Sequence, residues 1–157
     1  ILFDGARLRR HTRIEVAGTA RMLAGEIVVF GRRARGESFT KGLLHDAWRL
    51  SRDGRLVWAD ALNLSADIAT GIENRHAFDG AAAVATAVYC APDASDYLDT
   101  ARHLCRTGGA TCIDNVLVVR LVHTDAAALR AEFTHFWKHF RHEAAGLPPV
   151  LPRVWDV

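Results

Sequence analysis

Residues 20–37 read ARMLAGEIVVFGRRARGE, and their reading decides the rest of the chain. Taken with a period of two, Met22, Ala24, Glu26, Val28 and Phe30 share one face, and Leu23, Gly25, Ile27 and Val29 share the other. Both faces are mostly apolar, so the stretch is expected to be an interior strand covered on two sides. Glu26 breaks the pattern. An unpaired carboxylate on an apolar face costs several kcal/mol or takes up a proton. The nearest cations in sequence are Arg32, Arg33 and Arg35, beyond a turn at Gly31, with Gly36-Glu37 closing the loop. Two readings stay open: a structural ion pair between Glu26 and this loop, or a polar group lining an internal passage.

Working outward, residues 7–16 read as a strand with many polar positions, one side of which meets water or a partner. Residues 41–64 carry the clearest local signal, two apolar stretches about Asp53-Gly54. A two-residue turn there pairs Trp58 with Arg49 and Leu62 with His45, which mixes polar and apolar residues on one face. A three-residue loop, Arg52-Asp53-Gly54, pairs Leu50 with Leu56, Trp48 with Trp58 and Leu44 with Leu62. Burial favours the second, because a one-residue slip moves a strand's whole apolar set. That register sets Asp46 opposite Asp60, and like charges across a ladder need an arginine, a proton or a cation between them.

Residues 65–78 read as a connection, and residues 80–92 (GAAAVATAVYCAP) as a strand of small residues suited to close packing. A helix is expected from the acidic entry at Asp93–Asp96 to about Arg106, ended by Gly108-Gly109. Residues 110–123 read as a strand broken near Asp114-Asn115. The last helix is expected from Thr124-Asp125 to about Ala145, with Leu129, Phe133, Phe136, Trp137, Phe140 and Ala144 on one side. His135, His139 and His142 fall on the other, where they read as solvated. Residues 147–155, ending in Trp155, read as an extended tail docked on the body or on a partner.

Totals bound the class. A chain of 157 residues, half of them apolar, is long enough for one core. Three cysteines, Cys90, Cys105 and Cys112, form no CxxC pair and are expected to be reduced thiols in a cytoplasmic setting. No run of 18 apolar residues exists, so no membrane-spanning helix is expected. Residues 1–60 hold 12 Lys/Arg against 7 Asp/Glu, and residues 61–157 hold 8 against 11. A basic half suits an acidic partner. Its arginines alternate with apolar residues, as in Arg7-Leu8-Arg9, which marks a solvated strand face and not a nucleic-acid site. No phosphate-binding glycine pattern and no nucleophile with a base and an orienting acid is present, so the reading is a non-enzyme.

Longer motifs add a resemblance. LFDGARL at 2–8, the glutamate-bearing apolar strand, GRRARGE at 31–37, DGRLVWAD at 53–60 and LPRVW at 151–155 resemble the urease accessory protein UreD (UreH) family over nearly the whole chain. The resemblance implies a β-rich α+β fold of stacked or helicoidal sheets, which agrees with two helices in the C-terminal third. It implies a single UreD-like domain over 1–157, the C-terminal part of a longer protein whose N-terminal segment of about 100 residues would otherwise cover open sheet edges. It also implies a non-enzymatic scaffold that joins UreF and the GTPase UreG on apo-urease and supports nickel delivery, with nickel in transit and no tightly bound cofactor. On that reading Glu26, Asp46 and Asp60 mark a transient nickel route, since oxygen ligands release a divalent ion more readily than a Cys or His cage. Arg32, Arg35, Glu37 and Trp155 are then candidates for partner binding. The rival classes are a small-ligand binder or enzyme using Glu26 with Arg32–Arg35, and an inactive fragment.

Overall fold

The computed structural model describes residues 1–151 and 155. Seven strands and three helices follow in the order β1 (Arg7–Val16), β2 (Met22–Val29), β3 (Leu43–Arg52), β4 (Arg55–Leu64), α1 (Ile68–Glu73), β5 (Ala83–Cys90), α2 (Leu98–Leu104), β6 (Gly108–Ile113), β7 (Val116–His123) and α3 (Ala126–Ala145). The fold is β-rich α+β, as expected. Two sheets form, one ordered β1-β3-β4 and the other β2-β5-β7-β6. Because β2 leaves β1 for the opposite sheet, β3 returns alongside β1 in the same direction, and that pair is parallel.

Both faces of β2 are covered, but it is an edge strand, not an interior one. Along its whole length it pairs antiparallel with β5, Glu26 opposite Thr86. Leu23, Ile27 and Val29 pack toward α3, while Met22, Ala24 and Val28 pack toward the other sheet. Gly25 sets how closely α3 approaches. A Cβ there would lie 2.8 Å from Phe133 Cζ, 2.9 Å from the Thr86 carbonyl oxygen and 2.9 Å from Trp137 Cζ3.

Every residue of β5 is buried, which its small side chains permit between two layers. On one side Ala83, Ala85, Ala87 and Tyr89 join Leu117, Val119 and Leu121 beneath Leu129, Phe133, Phe136 and Phe140 of α3. Full burial of each large apolar side chain contributes about 1.5–3 kcal/mol, so this helix face anchors the layer. The boundaries of α3 follow its caps: the Asp125 carboxylate accepts from the Ala127 and Ala128 amides at 2.7 and 2.9 Å, and Gly146 ends it at φ 63°.

Several local expectations shift. The connection after β4 contains α1, which buries Ile68 and Ile72. The helix expected to reach Arg106 stops at Leu104, and Gly108-Gly109 open β6 instead of capping it. The break at Asp114-Asn115 is a hairpin turn with both residues left-handed, at φ 49° and 61°. The β3–β4 connection is a two-residue turn, with Asp53 at φ 51° and Gly54 at φ 76° and Arg52 opposite Arg55. Val57 then bulges, so Leu50 faces Trp58, Trp48 faces Asp60 and Asp46 faces Leu62. Trp48 and Trp58 are therefore diagonal neighbours, in edge-to-face contact at 6.3 Å, and not an opposed pair. From Trp58 onward the expected inward residues of β4 do face inward, set there by a bulge and not by a longer loop, whereas Leu56, expected opposite Leu50, faces Ser51 and is 49% exposed.

Gly25→Ala is expected to destabilise the fold by about 1–3 kcal/mol, since neither the Thr86 backbone nor the ring pair can retreat freely. Urea unfolding monitored by tryptophan fluorescence measures it.

Candidate functional site

Between the two sheets the apolar filling is divided in two. At one end lie Phe30, Leu44, Leu64, Ile68 and Val84, and at the other Val16, Trp48, Leu50, Val88 and Val116. A polar belt separates them, and six strands each contribute to it. Arg10 comes from β1, Glu26 from β2, Asp46 from β3, Asp60 from β4, Thr86 from β5 and Arg120 from β7. The ladders align them: Arg10 pairs with Asp46, and Glu26, Thr86 and Arg120 stand in one row across the other sheet.

Arg10 ties the layers together. Its Nε donates to Asp46 Oδ1 at 2.9 Å, and its Nη2 bridges Asp46 Oδ2 and Glu26 Oε2. Trp48 Nε1 donates to the other Glu26 oxygen at 2.9 Å. Arg120 Nη2 pairs with Asp60, while Arg120 Nε is buried and has no acceptor among the described residues. Asp46 is 2% exposed, and the Arg10 side chain 40%. Three carboxylates against these two guanidiniums leave a formal charge of −1. Glu26, Asp46, Trp48, Asp60, Thr86 and Arg120 surround a void of about 10 Å³ for a water centre, on the order of the room one water needs. Outside it, Trp48 and Asp60 also border a groove of about 530 Å³ on the outer side of β1-β3-β4. Glu26 borders a second groove, of about 400 Å³, with Ile27, Val29, Phe133 and Trp155. Hollows on the outer sides of the two sheets thus border strand positions of the belt.

Known proteins identify the family. The family model described as UreD urease accessory protein matches residues 1–156. The chain belongs to the UreD urease accessory protein family. The chain is 43% identical to urease accessory protein UreD of Methylobacterium sp. (strain 4-46), covering 99% of this chain and 56% of that relative. Identity to UreD of Magnetococcus marinus is 38% over all of this chain and 57% of the relative, and to UreD of Xanthobacter autotrophicus 40% over 99% and 53%. The chain thus spans about half the length of the curated relatives it matches.

In this UreD-family chain the three expected carboxylates do converge, but their counter-ions come from elsewhere. The loop Arg32–Arg35 does not pair with Glu26. Its direction is set by Gly31 at φ 78°, and it folds back on the chain's start. Arg32 pairs with Glu37 and lies over the Phe3 ring at 4.5 Å. Glu37 also accepts from the Asp4 amide at 3.1 Å, and Asp4 Oδ1 accepts from Thr40 N at 2.8 Å and Lys41 N at 3.1 Å. Arg33 caps the Gly80 and Ala81 carbonyls at 3.0 and 3.1 Å. The LFDGARL and GRRARGE motifs are thus two halves of one knot, with Arg35 left exposed. Nor do Asp46 and Asp60 oppose each other, since the bulge at Val57 sets them diagonally.

Trp155 is half-buried against Phe133 and Trp137, with ring centres 5.9 and 5.5 Å away, and Arg130 Nη2 donates to its carbonyl at 2.8 Å. Residues 152–154 of the expected tail, and residues 156–157 after it, lie outside the described residues. All three cysteines are free, and burial pushes the Cys105 thiol up to about 11. No group of three or more metal-ligating side chains is assembled among the described residues, and no helix there is long and apolar enough to cross a membrane.

Arg10 and Arg120 are the residues that sequence reasoning missed. Each carried the signal that singled out Glu26, one charge on an otherwise apolar strand face: Leu8, Arg10, Thr12, Ile14, Val16 in β1 and Val116, Val118, Arg120, Val122 in β7.

Replacing Arg10 with Met strands a buried carboxylate and is expected to cost about 3 kcal/mol in urea unfolding. Adding Asp46→Asn should recover part of that loss, because the two residues act on one another. The knot makes a different expectation. Hydrogen bonds from Arg32 and the Asp4 amide lower Glu37 from its ordinary 4.5, and those from Thr40 lower Asp4 from 3.8. Their stabilisation is complete above about pH 4.5 and is lost as the pH falls through the lowered values. Glu37→Gln should therefore make thermal stability fall less steeply below pH 4.5.

Proposed function

We propose that the chain is part of a non-enzymatic scaffold for urease maturation, working with UreF, UreG and apo-urease in the cytoplasm, and that its interlayer belt is a passage for nickel. The observation that carries the reading is the belt itself: three carboxylates, two arginines and an unmatched negative charge about a void with room for one water between the sheets. Structural ion pairs alone need no such deficit. Nickel is cargo here, not a resident cofactor. Carboxylate oxygens hold such an ion weakly enough to release it, and the net charge favours a cation entering.

Passage requires Arg10 to give way, because it occupies both Glu26 and Asp46. Its side chain is 40% exposed, so it can swing outward without opening the core. Arg10 is then the gate, and Trp48 holds Glu26 in place while the gate is open. The outer face of β1 and β3 fits an acidic partner surface: Arg7, Arg9, Arg13 and Arg49 point outward, and no ion pair engages them among the described residues. The small-ligand reading that joined Glu26 to Arg32–Arg35 loses its basis, because those residues do not form one cluster.

Glu26→Gln and Asp60→Asn keep shape and hydrogen bonding while removing charge. Both variants are expected to fold and to co-purify with UreF, yet to activate urease at least about fivefold more slowly at limiting nickel and normally at saturating nickel. Activation at the native rate under limiting nickel would discard the passage. Running the assay with this chain and with a full-length relative separates failure of the passage from inactivity of a half-length protein.

A further inference from the structure

The exposed side of α3 carries a feature that the belt does not use. His135 and His139 stand one turn apart, both exposed, with ring centres 4.3 Å apart and planes at 47°. Two imidazoles sharing one ion through bonds of about 2.0–2.1 Å at a near right-angle bite place their ring centres about 4.5 Å apart. The separation present is thus already that of a chelate. From this geometry we propose that His135 and His139 form a surface site for a borderline divalent ion of the class that takes imidazole nitrogen, Cu²⁺, Ni²⁺ or Zn²⁺, with water completing the coordination.

The helix holds the pair rigidly. Phe133, Phe136 and Phe140 bury the opposite side of the same two turns, so the backbone carrying both rings is fixed by the main apolar layer. Desolvation, and then the adjacent His139 and Arg106, lower the proton affinity of His135, which favours the form that binds a metal ion. Glu132, the nearest acid on the helix, has both oxygens engaged by Arg106 N, Thr107 N and Thr107 Oγ1 at 2.6–2.9 Å. It therefore anchors the loop before β6 and is not an available ligand. His142, on the next turn, is oriented by its Nδ1, 3.0 Å from the Leu147 carbonyl oxygen, and among the described residues the ring contact joins only His135 and His139. The other histidine pair, His11 and His45, bridges β1 and β3 with ring centres 5.4 Å apart, a wider and edge-on arrangement. The proposal does not depend on the nickel passage, and either can fail alone.

The test is calorimetric titration of the tag-free full chain with NiCl₂, ZnCl₂ and CuCl₂ in separate runs. One saturable site per chain is expected, tightest for Cu²⁺ in keeping with the order of divalent affinities. His135→Gln and His139→Gln should each weaken it at least about tenfold, and the double variant should abolish it. His142→Gln, Glu26→Gln and the His11→Gln/His45→Gln pair should leave it unchanged. Absence of a saturable site, native affinity in the double variant, or loss in the His11/His45 pair overturns the proposal. Because both rings are exposed, melting curves of the variants should match the native chain. If a variant does not fold, the Cu²⁺ electron-spin spectrum of the native chain decides instead. Two-nitrogen equatorial coupling supports the site, and one nitrogen or none rejects it.

Discussion

The contact on which the two-sheet arrangement depends is the guanidinium of Arg10, shared between Asp46 beside it and Glu26 across the interlayer. Most of the space between the sheets is filled by apolar side chains, whose attraction is strong but not directional. It would tolerate one sheet sliding over the other. A charged fork that must meet a carboxylate on each layer does not. Breaking such a buried set is far costlier than its net contribution when intact. The belt therefore acts as a registration mark between layers, and the apolar clusters on either side supply the bulk of the cohesion.

That division bears on the proposed passage. A continuous apolar interlayer would be closed to an ion, because no group in it could replace water. A line of carboxylates already compensated by arginines offers exchangeable partners at each step. The least buried carboxylate is paired with the cation that has a spare buried N–H, Arg120. The most buried carboxylate is paired with a cation whose own side chain is substantially exposed. Each pair thus has one member able to move. This asymmetry is what makes the proposed passage through the belt physically reasonable.

The motifs that carry the family resemblance serve the frame as much as the belt. LFDGARL and GRRARGE lock to each other through Asp4, Glu37 and Arg32, which fixes where β2 ends and where β3 begins. Since β2 and β3 belong to different sheets, that knot sits where the chain passes between layers. It acts before the belt in the order of causes: it places Glu26 and Asp46 so that one guanidinium can reach both.

Sequence by itself determined the strand and helix periods, the buried side of α3, the small-residue central strand, and the fact that Glu26, Asp46 and Asp60 point inward. These follow from local rules, a side-chain repeat of two or about 3.6 and the cost of solvating an apolar face. The facing of the β3–β4 hairpin from Trp58 onward was legible too, though not the bulge at Val57 that achieves it, because a bulge and a longer loop satisfy the same burial pattern beyond that point and differ only at Leu56. The counter-ions were decided only by tertiary structure. Arg10 precedes Glu26 by sixteen residues and Asp46 by thirty-six, whereas Arg32–Arg35 lie close by in sequence and reach neither. Proximity along a chain sets a partner only when the intervening backbone can fold back. Here Gly31 turns the loop toward the chain's start, and the parallel pairing of β1 with β3 carries Arg10 to the carboxylates instead.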